Sequence, residues 1–165
     1  MVEQLLEKKV ADTISAVLAE NGIADIQVVG SLQPSAVHEL KAVENADAHG
    51  LVIVKAAPRQ YESPTIPTCE ISIGITANIR ADVDYNGMTY LDVASKIMSV
   101  LQRWQRCYAD THVDFSVDVE FDCTGYQLDA GSFAFDRSDK VWQYSHSMTI
   151  YGVIQEDDSA ETNNS

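Results

Sequence analysis

Four carboxylates stand on one side of the stretch HVDFSVDVEFDC, residues 112 to 123. In an extended chain Val113, Phe115, Val117, Val119, Phe121 and Cys123 point one way, and His112, Asp114, Ser116, Asp118, Glu120 and Asp122 point the other. Such a row can bind a cation, do acid/base work, remain solvated, or repel a polyanion that passes nearby. A divalent cation needs oxygen ligands that converge on one point, whereas side chains two residues apart on a strand sit roughly 6.5–7 Å apart. No DxDxDG spacing occurs. The row Asp114, Asp118, Glu120 and Asp122 is therefore read as an acidic face. An ion site there would need a second strand or loop to complete it.

No other constellation gives catalysis a foothold. Glu39-Leu40-Lys41 matches the acid-x-lysine pattern of metal-dependent nucleases, but the tripeptide is common and lies in a polar segment, not at the end of a hydrophobic strand. His38, His49, His112 and His146 are scattered, and none has a partner at the spacing of a helical metal pair. GxSxG, a P-loop and a glycine-rich dinucleotide turn are all absent. His146 shares its side of a strand with Trp142, Tyr144 and Met148, which predicts a hydrogen-bonded core or interface histidine. Trp104 and Trp142 read as core anchors. Cys69, Cys107 and Cys123 are odd in number and lack a CxxC spacing, so they predict buried or half-buried thiols and neither zinc nor disulfides. The expectation is a protein that is not an enzyme, with no catalytic residues, cofactor or metal.

Charge narrows the partners. With 11 basic against 25 acidic residues the net charge is −14, and replacing counterions on a nucleic acid or an anionic membrane requires lysine and arginine. The length of 165 residues suits one domain with its own core. No apolar run reaches the roughly 18–20 residues of a membrane span, and MVEQLLEKK lacks the apolar centre of a signal peptide, so a cytosolic protein is expected.

The elements that must position these residues follow from periodicity. EQLLEKKVADTISAVLAE, residues 3 to 20, places Leu6, Val10, Ile14, Val17 and Leu18 at helical spacing with charge on the other side, and Asn21-Gly22 stops it. Strands are expected at 23–29, at 51–57, and in CEISIGITANI, where Ile71, Ile73, Ile75, Ala77 and Ile79 alternate with polar residues. RQYESPTIPT, with Pro64 and Pro67, reads as an exposed loop. A turn at Asn86-Gly87 and a capping box from Thr89 to Asp92 precede a second helix, about Tyr90 to Arg106. Strand 112–123, a long loop over 124–140 and a last strand, KVWQYSHSMTIYGVIQ, complete a domain over 1–154. Residues 31–50 read as a connection, and 155–165 as a disordered acidic tail. The expected fold is α+β: a two-layer sandwich with a mixed or mainly antiparallel sheet of four to five strands and two amphipathic helices on one face. The acidic row would lie on the other face.

This succession resembles the tail-terminator (tail-completion) and neck proteins of tailed bacteriophages. The resemblance rests on the helix Leu6 to Leu18, the proline-bearing lead into IPTCEISIGITANI, the helix YLDVASKIMSVLQRW, and the final pattern from Asp136-Arg137 through Tyr144 to Met148-Thr149-Ile150-Tyr151-Gly152. It implies a structural virion protein that closes into a homo-oligomeric ring, commonly a hexamer, caps the tail tube and offers a head-attachment surface. Its partners would be itself, the tail tube protein and connector proteins of the neck. It would be found in the host cytoplasm during assembly and then in the virion tail. DNA would pass through without specific binding, and loops 58–68, 80–89 and 124–140 would make the contacts. In that setting Asp114, Asp118, Glu120 and Asp122 would face the lumen. The rival expectations are an acidic protein-binding or scaffold domain without a ring and, behind it, a metal-dependent enzyme.

Overall fold

A computed structural model describes residues 2–33, 49–63, 65–111, 121–129, 131–136 and 140–154; the side chains of residues 66, 105–111, 122 and 136 lie outside that description. Helix α1 (Val2–Glu20) is followed by β1 (Ile26–Gly30), β2 (Gly50–Ala56), β3 (Gln60–Ser63) and β4 (Ile66–Arg80), then helix α2 (Tyr90–Thr111), β5 (Phe121–Leu128), β6 (Ser132–Asp136) and β7 (Val141–Ile154). The strands form one seven-stranded mixed sheet in the order β1-β2-β4-β7-β5, with β3 paired to β4 and β6 to β7. Among the described strands only the β1–β2 pair is parallel.

The seven strands occupy five columns, because two columns are shared. β2 pairs with Ile73–Ile79 of β4, and β3 lies beyond it against Ile66–Glu70. Likewise β6 pairs with Val141–Ser145 of β7 and β5 with Met148–Ile154. The expected loop over 58–68 thus contains β3 and the start of β4. Pro67 does not break β4, because the long β4–β7 ladder starts at Thr68, one residue after the missing donor. The expected long loop over 124–140 is likewise overturned. β5 continues to Leu128 past a register shift between Cys123 and Gly125, and SFAFD forms β6.

Alternation builds the core. Along β4 Cys69, Ile71, Ile73, Ile75, Ala77 and Ile79 are buried, and they pack with Tyr144, Met148 and Ile150 of β7 beneath the helices. α1 lies over β1 and β2, and α2 over β4, β5 and β7. α2 contributes Val93, Ala94, Ile97, Val100, Leu101 and Trp104 to that core, so Trp104 is an anchor as expected. The opposite face carries Glu70, Ser72, Thr76 and Asn78 of β4 beside Tyr151, Thr149, Ser145 and Gln143 of β7. Both helices therefore cover one face, as the periodicity predicts.

The turns behave as their chemistry dictates. α1 ends with Gly22 N–H donating to Ala19 O (3.1 Å) and Ile23 N–H to Leu18 O (3.0 Å), the paired bonds of a Schellman stop. Asn86 and Gly87 take positive φ values of 54° and 83° between Tyr85 and Met88, whose backbones pair. The capping box forms: Thr89 N–H donates to Asp92 Oδ2 at 3.0 Å, and Asp92 N–H to Thr89 Oγ1 at 3.4 Å.

One expectation about α1 fails. Glu3 and Glu7 do not join the charged outer side but are buried, 6% and 0% exposed. Glu7 Oε1 accepts from Leu32 N–H (2.6 Å) and Gln33 Nε2 (3.4 Å), while Oε2 accepts from Ser31 Oγ (2.9 Å) and Ala56 N–H (3.0 Å). The carboxylate thereby ties α1 to the ends of the parallel strands β1 and β2. Gly30 makes room for it: a Cβ there would stand 2.8 Å from Glu7 Oε1.

Glu3 is bonded to the guanidinium of Arg59, with Nη2 to Oε1 at 2.8 Å. Burial by itself would raise the Glu3 carboxyl, but the hydrogen bond and charge of Arg59 outweigh it and hold the group below its usual range. A carboxyl that ionises more readily when folded contributes stability above its unfolded pKa, and that contribution is lost as pH falls through the folded value. The stability gap between the wild type and Glu3→Gln is accordingly expected to be full at pH 6 and to shrink steadily below about pH 4. Urea titrations at both pH values check this, and a gap independent of pH contradicts it.

Candidate interaction surface

The most distinctive surface lies where α2 meets the edge formed by β6. Leu91, Ala94, Ser95, Met98, Ser99 and Gln102 of α2 face Phe133 and Trp142 across an open groove of about 450 Å³. Leu91 and Met98 are seven residues apart, two helical turns, which brings them to one stripe of α2. That stripe lies beside the core stripe and not on it. β6 brings its phenylalanines to the same side because Phe133 pairs with Tyr144 and Phe135 with Trp142, residues of the helix-covered face.

Leu91, Phe133 and Phe135 are 52%, 60% and 48% exposed, uncommon values for side chains of this size. The aromatic rings are organised: Phe133 lies 5.2 Å from Trp142 and 6.2 Å from Tyr144 between centroids, Trp142 lies 5.5 Å from Tyr144, and Tyr90 lies 6.0 Å from Trp142. No groove residue is ionisable, although the chain carries a net charge of −14. Trp142, expected as a core anchor, is half-buried and lines this groove.

Beneath the patch the buried Tyr144 Oη and His146 Nδ1 have no hydrogen-bond partner among the described residues. Burial pushes the Tyr144 phenol far up. It also lowers His146, against the opposing pull of Asp129. The hydrogen bond expected for His146 is thus not made at Nδ1. Since Tyr144 is 1% exposed and its hydroxyl finds no partner among the described residues, Tyr144→Phe is expected to stabilise the fold by about 1 kcal/mol. A thermal melt that shows no rise, or a fall, overturns that expectation.

On the opposite face Asp129 Oδ2 accepts from Ser147 Oγ (3.2 Å) and Thr149 Oγ1 (3.0 Å), and Thr149 Oγ1 lies 3.3 Å from Ser72 Oγ. This hydroxyl cluster bridges β4 and β7, with the Asp129 carboxylate as its acceptor. His49 Nδ1 stands 3.7 Å from Asp25 Oδ2, and its ring meets Tyr85 edge-on. Cys69 is buried and Cys123 half-buried, as expected. Among the described residues no group of three or more His, Cys, Asp or Glu side chains converges as metal ligands would.

Of the acidic row, Asp114, Asp118 and Glu120 lie outside the described residues; Asp122 is in β5, its backbone opposite Val153, with its side chain outside the description. Glu39-Leu40-Lys41, His38, His112 and the acidic tail also fall outside. The groove was not singled out from the sequence, yet the uncharged SFAF between Gly131 and Asp136 was a usable signal.

No helix among the described residues is long and apolar enough to cross a membrane. No protein-family model matches the chain, and no curated protein matches it. Among solved structures, the chain is similar to one from Akkermansia muciniphila described as being without its transmembrane region, at 12% identity over 93% of this chain and 85% of that one, with a TM-score of 0.38. A crystal structure from the same organism is similar at 14% identity over 93% of this chain and 77% of that one, with a TM-score of 0.36.

Proposed function

We propose that this chain is a structural subunit of a tailed-bacteriophage tail terminator, a ring that caps the tail tube and presents the surface for head attachment. The observation that carries the reading is the uncharged apolar patch of Leu91, Met98, Phe133, Phe135 and Trp142 on an otherwise strongly acidic molecule. An exposed apolar patch of that kind suits contact with another protein. The two helices on one face of a mixed sheet are compatible with the family resemblance drawn from the sequence, although β3 and β6 stand where it expects loops. In this reading the subunit works by assembly and not by catalysis, and the row Asp114, Asp118, Glu120 and Asp122 lines the lumen, where repeated negative charge keeps passing DNA from adhering. Tube and neck proteins take the two ends of the ring.

Light scattering over a range of protein concentrations at low and moderate salt, followed by electron microscopy of the largest species, tests the reading. Closed rings, or a mass that climbs towards one ring size, support it. A monomer that also fails to bind isolated tail tubes rejects it in favour of an acidic binding domain without a ring.

A further inference from the structure

The two edges of the sheet match each other. β1 at one edge reads IQVVG and β6 at the other reads SFAFD; each has five residues and carries no charge except Asp136 at the end of β6. Among the described residues β1 pairs only with β2, and β6 only with β7. An edge without lysine, proline or inward charge lacks the usual protection against pairing with another chain. In a chain of net charge −14, these are strands whose central rungs set no carboxylate against another; the register brings Asp136 level with Asp25 of the next copy only at the end of the ladder.

The rungs also agree in level. Following the register across the sheet, Val28 stands in the row of Val52, Ala77, Tyr144 and Phe133, and Ile26 in the row of Gly50, Ile79, Trp142 and Phe135. Gln27 shares its row with Leu51, Asn78, Gln143 and Ala134 in the same way. So residues 26–29 of one edge are level with 135–132 of the other, in reversed order. Ile26 and Val28 lie on the helix-covered face, as do Phe133 and Phe135. A rotation that carries one copy to the next about an axis along the strands preserves levels, and therefore brings these rows together.

We propose that copies of this chain join head to tail by antiparallel pairing of β6 in one copy with β1 in the next. Phe133 then meets Val28 and Phe135 meets Ile26 across the junction, and the sheet runs on from subunit to subunit. The interface is heterologous, the type that closes into rings or grows into filaments. Ladder bonds supply the register, and the exposed phenylalanine area supplies the drive. This deepens the ring reading and rests on it only for closure.

The test combines two variants. In the first, Phe133→Glu with Phe135→Glu places charge on side chains that are already largely exposed, and self-association at moderate salt is expected to weaken at least tenfold by sedimentation. Tyr61→Glu, at an exposed residue of β3, which takes no part in the β6–β1 pairing, leaves association unchanged. In the second, Gln27→Cys with Ala134→Cys is oxidised mildly. The double variant is expected to give a ladder of covalent multimers, an equimolar mixture of the two single variants gives covalent dimers at most, and each single variant alone gives the background of the native thiols. Association without the 27–134 ladder overturns the edge pairing and leaves the ring standing on another interface. A ladder that grows without closing supports the pairing and removes the ring. Monomers at every concentration and salt overturn the pairing.

Discussion

Glu7→Ala is expected to destabilise the fold by about 3–5 kcal/mol, the range for stripping one partner from a buried charge-bearing network. The alanine leaves Ser31 Oγ, the Leu32 and Ala56 amides and Gln33 Nε2 without their acceptor, in a place where the carboxylate itself is fully buried. The Leu32 amide lies in the turn that follows β1 and the Ala56 amide ends β2, so lost bonds loosen both strands together, and α1 with them. Against the 5–15 kcal/mol of a typical domain this is a large share. For a chain of this length it corresponds to a fall in melting temperature of roughly 10 °C or more. Glu7→Gln retains one acceptor oxygen and the shape, and is expected to lose about half as much. Calorimetry of the two variants checks the order. Equal and small losses would mean that the carboxylate is not what holds α1 to the sheet.

Ile75→Ala is expected to cost about 3–4 kcal/mol, whereas Thr76→Ala, the next residue on the same strand, stays within about 1 kcal/mol. Ile75 is 1% exposed and lies in the central column beneath the helices, opposite His146 of β7. A deleted side chain there leaves a void that long ladders on both sides prevent from collapsing. Thr76 points to the polar face beside Ser145 and is only half-buried. Chemical denaturation of the pair measures the difference between the two sheet faces directly. Similar losses at both positions would contradict a sheet with its helices on one side.

The features visible in the sequence were those in which every residue agrees with one period. Ile71 to Ile79 alternate without exception, and the structure keeps that alternation rung by rung. The Schellman stop at Gly22, the Asn86-Gly87 turn and the Thr89–Asp92 box were equally legible, because each depends on neighbours a few residues apart. What misled was polarity that is satisfied at long range. Glu3 and Glu7 sit at positions of α1 that face the core, but a carboxylate reads as surface until its partners are known, and these lie on Arg59 and on the ends of β1 and β2. The part of β5 beyond Cys123 was hidden by the register shift at Cys123 to Gly125, which breaks its alternation. β6 was hidden by its brevity, since a five-residue strand between Gly131 and Asp136-Arg137 resembles loop sequence and gains its structure from β7 alone. The groove shares that cause: α2 and β6 meet only through the fold, and Phe133 and Phe135 look like ordinary core residues until their exposure is known.

β7 has a further consequence, which concerns the order in which the chain is made. It is the last of the described strands but occupies an inner column, with β4 along one side and β5 and β6 along the other. Arg80 and Thr68 of β4 lie opposite Val141 and Val153 of β7 in the ladder. At translation rates of about 5–20 residues per second, a nascent chain holds β4 with one bare edge for several seconds, its isoleucine face ready but its neighbour not yet synthesised. The strand that carries the uncharged edge, β6, emerges before β7 and has nothing to lean on until β7 follows. An unfinished polypeptide therefore cannot display that edge in its folded form, and only a chain synthesised through the end of β7 can.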